Sequence, residues 1–132
     1  MSQSVKNVME CQFCNLPESR VWFDKGGALV FKDAYPISPG HTLVIPKRHV
    51  KSLFELVEDE REDLFQGLSR ARNMLLSELR PDGFNIGIND GIAAGQTVFH
   101  LHVHLIPRYQ GDSVEPRGGV RWIFPDKAKY WP

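Results

Sequence analysis

Several things are scarce or missing in this 132-residue chain, and each absence removes a class of protein. Only two cysteines are present, so no disulfide framework holds the chain together. A chain of this length buries roughly two thirds of its unfolded surface and needs none. No charge of either sign is in excess, with 16 Lys and Arg against 16 Asp and Glu. That argues against nucleic acid as a partner held by overall charge, since phosphate-backbone binders carry a basic surplus. No apolar run approaches the ~18 residues of a membrane span, and Met1 to Glu10 is polar, without the apolar stretch of an export signal. Neither membrane nor nucleic acid is therefore expected, and a cytoplasmic location is. Repeats, linkers and low-complexity tracts are also missing, so residues 1–132 read as a single domain. Finally, neither G-x-x-x-x-G-K-S/T nor G-x-G-x-x-G occurs, which excludes the two commonest glycine-rich phosphate cradles.

What is there alternates between strand-like and helical patterns. Arg20–Asp24 and Gly27–Phe31 are short extended runs joined by the turn-forming Asp24-Lys25-Gly26-Gly27, a hairpin signature. Tyr35–Gly40 is a loop rich in proline, after which His41–Ile45 resumes an extended pattern. Ser52-Leu53-Phe54-Glu55 fits a capping box, predicting a helix that starts there and breaks and restarts near Val57. Leu64, Phe65, Leu68, Ala71, Leu75 and Leu79 then recur at helical spacing and predict one buried face, ended by Pro81-Asp82-Gly83. Phe84–Asn89 and Val98–Pro107 read as strands around the loop Asp90–Gly95. One long helix and one short one among about five strands is an antiparallel α+β domain, because a parallel sheet needs several crossover helices.

The most informative stretch is His100-Leu101-His102-Val103-His104-Leu105-Ile106. On a strand, alternate side chains share a face, so the three imidazoles form a row while Leu101, Val103 and Leu105 enter the core. His100 and His104 are then separated by roughly 13 Å, too far for all three rings to hold one ion. Two chemistries remain open for the row: metal ligation by adjacent rings, or attack on an electrophile by a neutral imidazole. Cys11-Gln12-Phe13-Cys14 is a second constellation, divided between metal binding and redox chemistry.

The alternating histidines resemble the signature of the histidine triad (HIT) family of nucleotide hydrolases and transferases. The likeness extends through Gly95-Gln96-Thr97, Asn89-Asp90-Gly91, Phe31-Lys32-Asp33 and Pro39 to His49, so it covers about residues 11–108 and leaves 109–132 as a tail. The resemblance implies a HIT-like fold and a catalytic pair: His102 as nucleophile on the α-phosphorus of a nucleotide, and His104 at the phosphate and leaving-group oxygens. It implies substrate contacts at Asp33 (ribose), Asn89, Gln96 and Thr97. The intact third histidine separates the chain from the galactose-1-phosphate uridylyltransferase branch, which has glutamine there. The resemblance further implies a structural zinc held by Cys11, Cys14, His49 and His100, with Mg²⁺ accompanying the substrate as an addition. His41 is left with a structural role. Leu105-Ile106-Pro107-Arg108 resembles the dinucleoside polyphosphate hydrolase (Fhit) branch, and the sequence from Gly118 resembles small microbial HIT hydrolases. The implied activity is hydrolysis of an adenine nucleotide derivative by a homodimer, with Trp122 or Trp131 candidates to reach a partner's site. Alternatives are a Hint-type adenosine phosphoramidase, a nucleotide-binding regulatory module, and a zinc hydrolase with a metal-activated water held at His100 and His102.

Overall fold

A computed structural model describes residues 8–132; the leader question raised by Met1 to Glu10 thus falls mostly outside it. Five strands, β1 (Val21–Lys25), β2 (Ala28–Lys32), β3 (Thr42–Pro46), β4 (Gly83–Ile88) and β5 (Val103–Arg108), form one antiparallel sheet in the order β1-β2-β3-β5-β4. The helix α1 (Glu58–Leu79) crosses one face. This is the antiparallel α+β arrangement that the pattern of apolar residues predicts. No described helix is long and apolar enough to cross a membrane.

Strand alternation assigns the two faces. Val30, Val44, Val103 and Leu105 point toward α1 and build the larger core with Leu64, Ala71 and Leu75 of the helix. Phe31, Leu43 and Ile45 point the other way, where Phe13 and Leu16 of the N-terminal segment cover them. The helix approaches closely at Gly67: a Cβ there would already touch Val30 and Val44 at 3.4 and 3.5 Å, leaving no room beyond a methyl group. That position takes the slot over the sheet and turns Phe65 outward, 69% exposed, against the expectation that Phe65 lies on the buried face.

Two other boundaries have identifiable causes. The Ser52–Glu55 capping box is only half made. Ser52 Oγ accepts the Phe54 amide at 3.2 Å over a single 3₁₀ turn, and after the expected break α1 starts beyond Val57, where Glu60 reaches back to the Val57 amide at 3.0 Å. Glu60 is also gripped by both arms of Arg48 at 2.8 and 2.9 Å, which holds its carboxyl down to about 2. The last strand begins at Val103, not Val98, because the Leu101 amide bonds to the Val50 carbonyl at 2.7 Å rather than to a sheet neighbour. His100 and His102 therefore precede the strand, and only His104 lies on it.

Candidate active site and metal cluster

Register places the site. The pairs Phe31↔Leu43, Leu43↔His104 and Gly87↔His104 make one row across β2, β3, β5 and β4 on the face away from α1. This row floors a cavity of about 940 Å³, whose lining includes Phe13, Asp33, His41, Asn89, Thr97, His102 and His104.

Hydrogen bonding determines which nitrogen of each ring carries a proton, because a carbonyl can only accept and an amide can only donate. Nδ1 of His102 lies 2.9 Å from the His100 carbonyl and must donate to it. A neutral His102 therefore has its lone pair on Nε2. Nε2 of His100 lies 2.7 Å from the Pro46 carbonyl, so a neutral His100 has its lone pair on Nδ1. His41 Nδ1 accepts the Ile37 amide at 3.2 Å, which puts its proton on Nε2, 2.9 Å from His104 Nδ1. His104 thus accepts on Nδ1 and holds its own proton on Nε2, as a donor. Burial pushes His41, His100 and His104 below the ordinary histidine range; at His41 and His104 the Asp33 carboxylate partly opposes this. All three are neutral near pH 7, consistent with these tautomers.

His41 is the residue that sequence reasoning missed. It was expected to be structural, yet it sits in a cluster with Asp33 and His104, its Nε2 3.4 Å from Asp33 Oδ2. The signal was present in the phase of β3: His41 stands two residues before Leu43, on the same face, next to the row that carries His104. Asp33 lines the cavity and also accepts the Tyr35 amide at 2.8 Å. Asn89 and Thr97 line the cavity as expected. Gln96 does not. It is buried, its Oε1 accepts the Gly91 amide at 2.9 Å, and its Nε2 donates to the Lys51 and Val98 carbonyls at 3.0 and 3.2 Å. All its side-chain groups are occupied in shaping the loop that presents Thr97. Trp122 and Trp131 are likewise engaged within their own tail, Trp122 donating to the Arg117 carbonyl at 2.7 Å and Trp131 lying under the Arg117 guanidinium at 4.4 Å.

On the other side of His102, Cys11, Cys14, His49 and His100 bring four ligand atoms within 4.8 Å of one another. The separations are 3.5 Å (Cys11 Sγ to His100 Nδ1), 3.4 Å (Cys14 Sγ to His100 Nδ1), 3.2 Å (Cys14 Sγ to His49 Nδ1) and 3.3 Å between the two Nδ1 atoms. A zinc tetrahedron with Zn–N near ~2.0 Å and Zn–S near ~2.3 Å has edges of about 3.3–3.8 Å. The donor set and spacing fit zinc, and the bond from His100 Nε2 to Pro46 supplies the outer contact that orients a ligating ring. Without an ion, burial and the neighbouring Cys11 push the Cys14 thiol up to about 11, so two thiolates here need a cation beside them. The same loop has a second job: Phe13, between the cysteines, sets its ring 5.2 Å from His102 and 5.4 Å from Phe31, forming a wall of the cavity.

The HIT domain family matches residues 16–111. The protein Hit of Bacillus subtilis is 37% identical over 108 residues, 77% of this chain and 74% of that protein. The asymmetrical bis(5′-nucleosyl)-tetraphosphatase of Schizosaccharomyces pombe is 41% identical over 97 residues, 74% of this chain but 53% of that longer protein. Among solved structures, a zinc-bound histidine triad family protein from Mycobacterium smegmatis superposes with a TM-score of 0.71 at 38% identity, over 82% of this chain and 81% of that one. With its five-stranded sheet, its paired histidine clusters and these relatives, the chain belongs to the HIT family.

Proposed function

We propose that this protein hydrolyses nucleoside 5′-phosphate derivatives, dinucleoside polyphosphates such as diadenosine tri- or tetraphosphate foremost, through a covalent intermediate on His102. The observation that carries this reading is the bond from His102 Nδ1 to the His100 carbonyl. It turns the Nε2 lone pair free as a nucleophile without requiring a base to remove a proton. Nε2 attacks the α-phosphorus, a P–N bond forms, and the P–O bond to the leaving group breaks. The neutral His104 donates a hydrogen bond from Nε2 to the departing oxygen, which leaves as the anion of the remaining phosphate chain, and its Nδ1 stays bound to His41. Water then attacks phosphorus, the P–N bond breaks with its electron pair returning to His102 Nε2, and the nucleoside monophosphate leaves with the oxygen of water, whose proton passes to the phosphate or to solvent. Asp33, Asn89 and Thr97 line the cavity where a ribose and phosphates would lie.

Cys11, Cys14, His49 and His100 would hold a structural zinc, which ties the N-terminal loop to the site; four protein ligands leave no open position for a reactive water. That closure, with His102 outside the cluster, favours nucleophilic histidine over the zinc-hydrolase alternative. Mg²⁺ enters with the polyphosphate, as it does at other phosphate sites. The family match over 16–111 supports one domain with a core of about residues 11–108 and a tail. A homodimer is proposed through the edge strand β4, where Ile86 stands exposed, and a cytoplasmic location on the unpaired cysteines.

Acid quench during turnover of α-labelled diadenosine tetraphosphate tests the core of this reading. The expected result is a labelled protein adduct that His102→Ala abolishes. Turnover with no adduct would instead indicate metal-activated water, and tight binding without turnover a regulatory module.

A further inference from the structure

The cavity has two unequal sides, with the histidine pair between them. Toward β2 and β3 its wall is Phe13, Leu16, Phe31 and Leu43. Toward β4 it is Asn85 and Ile106, closed by Gly119, Val120 and Ile123 from the C-terminal tail. That tail is anchored against β4 rather than left loose. Arg108 at the end of β5 bonds Asn85 at 2.6 Å and grips Asp112 at 2.8 and 2.9 Å, and a Cβ on Gly119 would stand 3.3 Å from the Asn85 amide nitrogen. Arg121 ties the tail's own carbonyls at Lys127 and Ala128. Val120 and Ile123 nevertheless stay 69% and 71% exposed, apolar groups held at a cavity rim with nothing on them.

Gly87 adds an independent observation. It is paired with His104 on the site face in mid-strand, its φ is not in the left-handed region, and a Cβ there would meet no atom within 4 Å. Neither a turn nor packing requires glycine, which weakens a strand and often marks close approach of another group. Its effect is an open passage from His104 to the tail-walled side.

We propose that residues 119–123 build a leaving-group subsite, reached from His104 past Gly87, that takes a second nucleoside. The inference rests on the hydrolase reading above and narrows its substrates to molecules with a nucleoside at each end of the phosphate chain. The chemistry of the subsite suits a base and ribose rather than a bare phosphate. Arg20, at the opposite side, is the one Lys or Arg among the described residues that line the cavity.

The test is the ratio of kcat/KM for diadenosine tetraphosphate to kcat/KM for adenosine 5′-phosphoramidate, which shares the attacked half and has a minimal leaving group. Gly87→Val, which suits a strand, and Val120→Asp/Ile123→Asp should each lower the ratio about tenfold or more, mainly through KM for the dinucleotide. Phe124→Ala, exposed in the same tail but outside the cavity lining, should leave the ratio within twofold. An unchanged ratio in both cavity variants overturns the subsite, as does an equal fall for both substrates, while the hydrolase reading survives. A wild-type protein that turns over neither substrate overturns that reading and the subsite with it. Melting curves identify a variant that fails to fold, and the tail pair then decides the question independently of Gly87.

Discussion

Two histidine clusters flank His102, and they use the same side chain in opposite ways. In the cluster of Cys11, Cys14, His49 and His100, one ring nitrogen of His100 is pinned to a backbone carbonyl and the other joins a closed ring of four donors. In the cluster of Asp33, His41 and His104, the nitrogens form a chain from the Ile37 amide through both rings to an N–H directed at the cavity. What the second nitrogen meets decides the role. A carbonyl leaves a static lone pair for a metal; an amide at the start of the chain leaves an N–H at its end, free to hydrogen-bond a departing oxygen.

The sharpest way to break this contrast is to mutate across it. His104→Ala should lower kcat by about 10²–10⁴-fold with little change in melting temperature, and His41→Ala should cost less but add almost nothing on top of His104→Ala. Stopped-flow or steady-state kcat for the two singles and the double checks both statements. Full additivity would mean that the two rings do not act as one chain. Cys14→Ser should do the reverse, losing bound zinc and at least about 3 kcal/mol of stability, or about 10 °C in Tm, as read by metal content and calorimetry. Smaller still is Phe13→Ala, which removes the aromatic wall without touching a ligand. It should raise KM about tenfold at unchanged zinc content, separating the metal loop's two tasks.

The mildest effect is on pH. Because burial lowers His41, His100 and His104 in the fold, the unfolded chain binds protons first as pH falls below the ordinary histidine value of ~6.5. Stability is then fully present above that value and declines below it. A Tm series from pH 7.5 down to 5 should fall steadily; a flat series would mean that the rings take up protons equally in the folded and unfolded states.

How much of this could be read beforehand depended on whether a residue's role was local. The alternation of Val103 and Leu105 announced which way His104 points, because period two is a property of the strand alone. The four zinc-type ligands were found through resemblance, and the fold brings them together across 35 to 89 residues of chain. His41 was undervalued, since a ring that only packs and a ring that hydrogen-bonds a neighbour look alike until their partners are known. The start of β5 was misplaced for a similar reason, as the Val50 carbonyl that captures Leu101 lies in another segment. The tail was marked off but its structure was not foreseen: its 3₁₀ turns at Gly119–Ile123 and Pro125–Lys127 have no helical or strand period to detect.

One feature of the sheet constrains how this chemistry can fail. β3 and β5 are joined through only three paired positions, Thr42 with Leu105, Leu43 with His104 and Val44 with Val103, whereas β4 and β5 share six. A slip of one residue along that short ladder would carry His104 to the helix side and Leu105 into the cavity, since side chains alternate strictly. The burial of Leu105 and Val103 against α1 is therefore a proofreading device during folding: the grease on one face keeps the hydrogen-bond donor on the other.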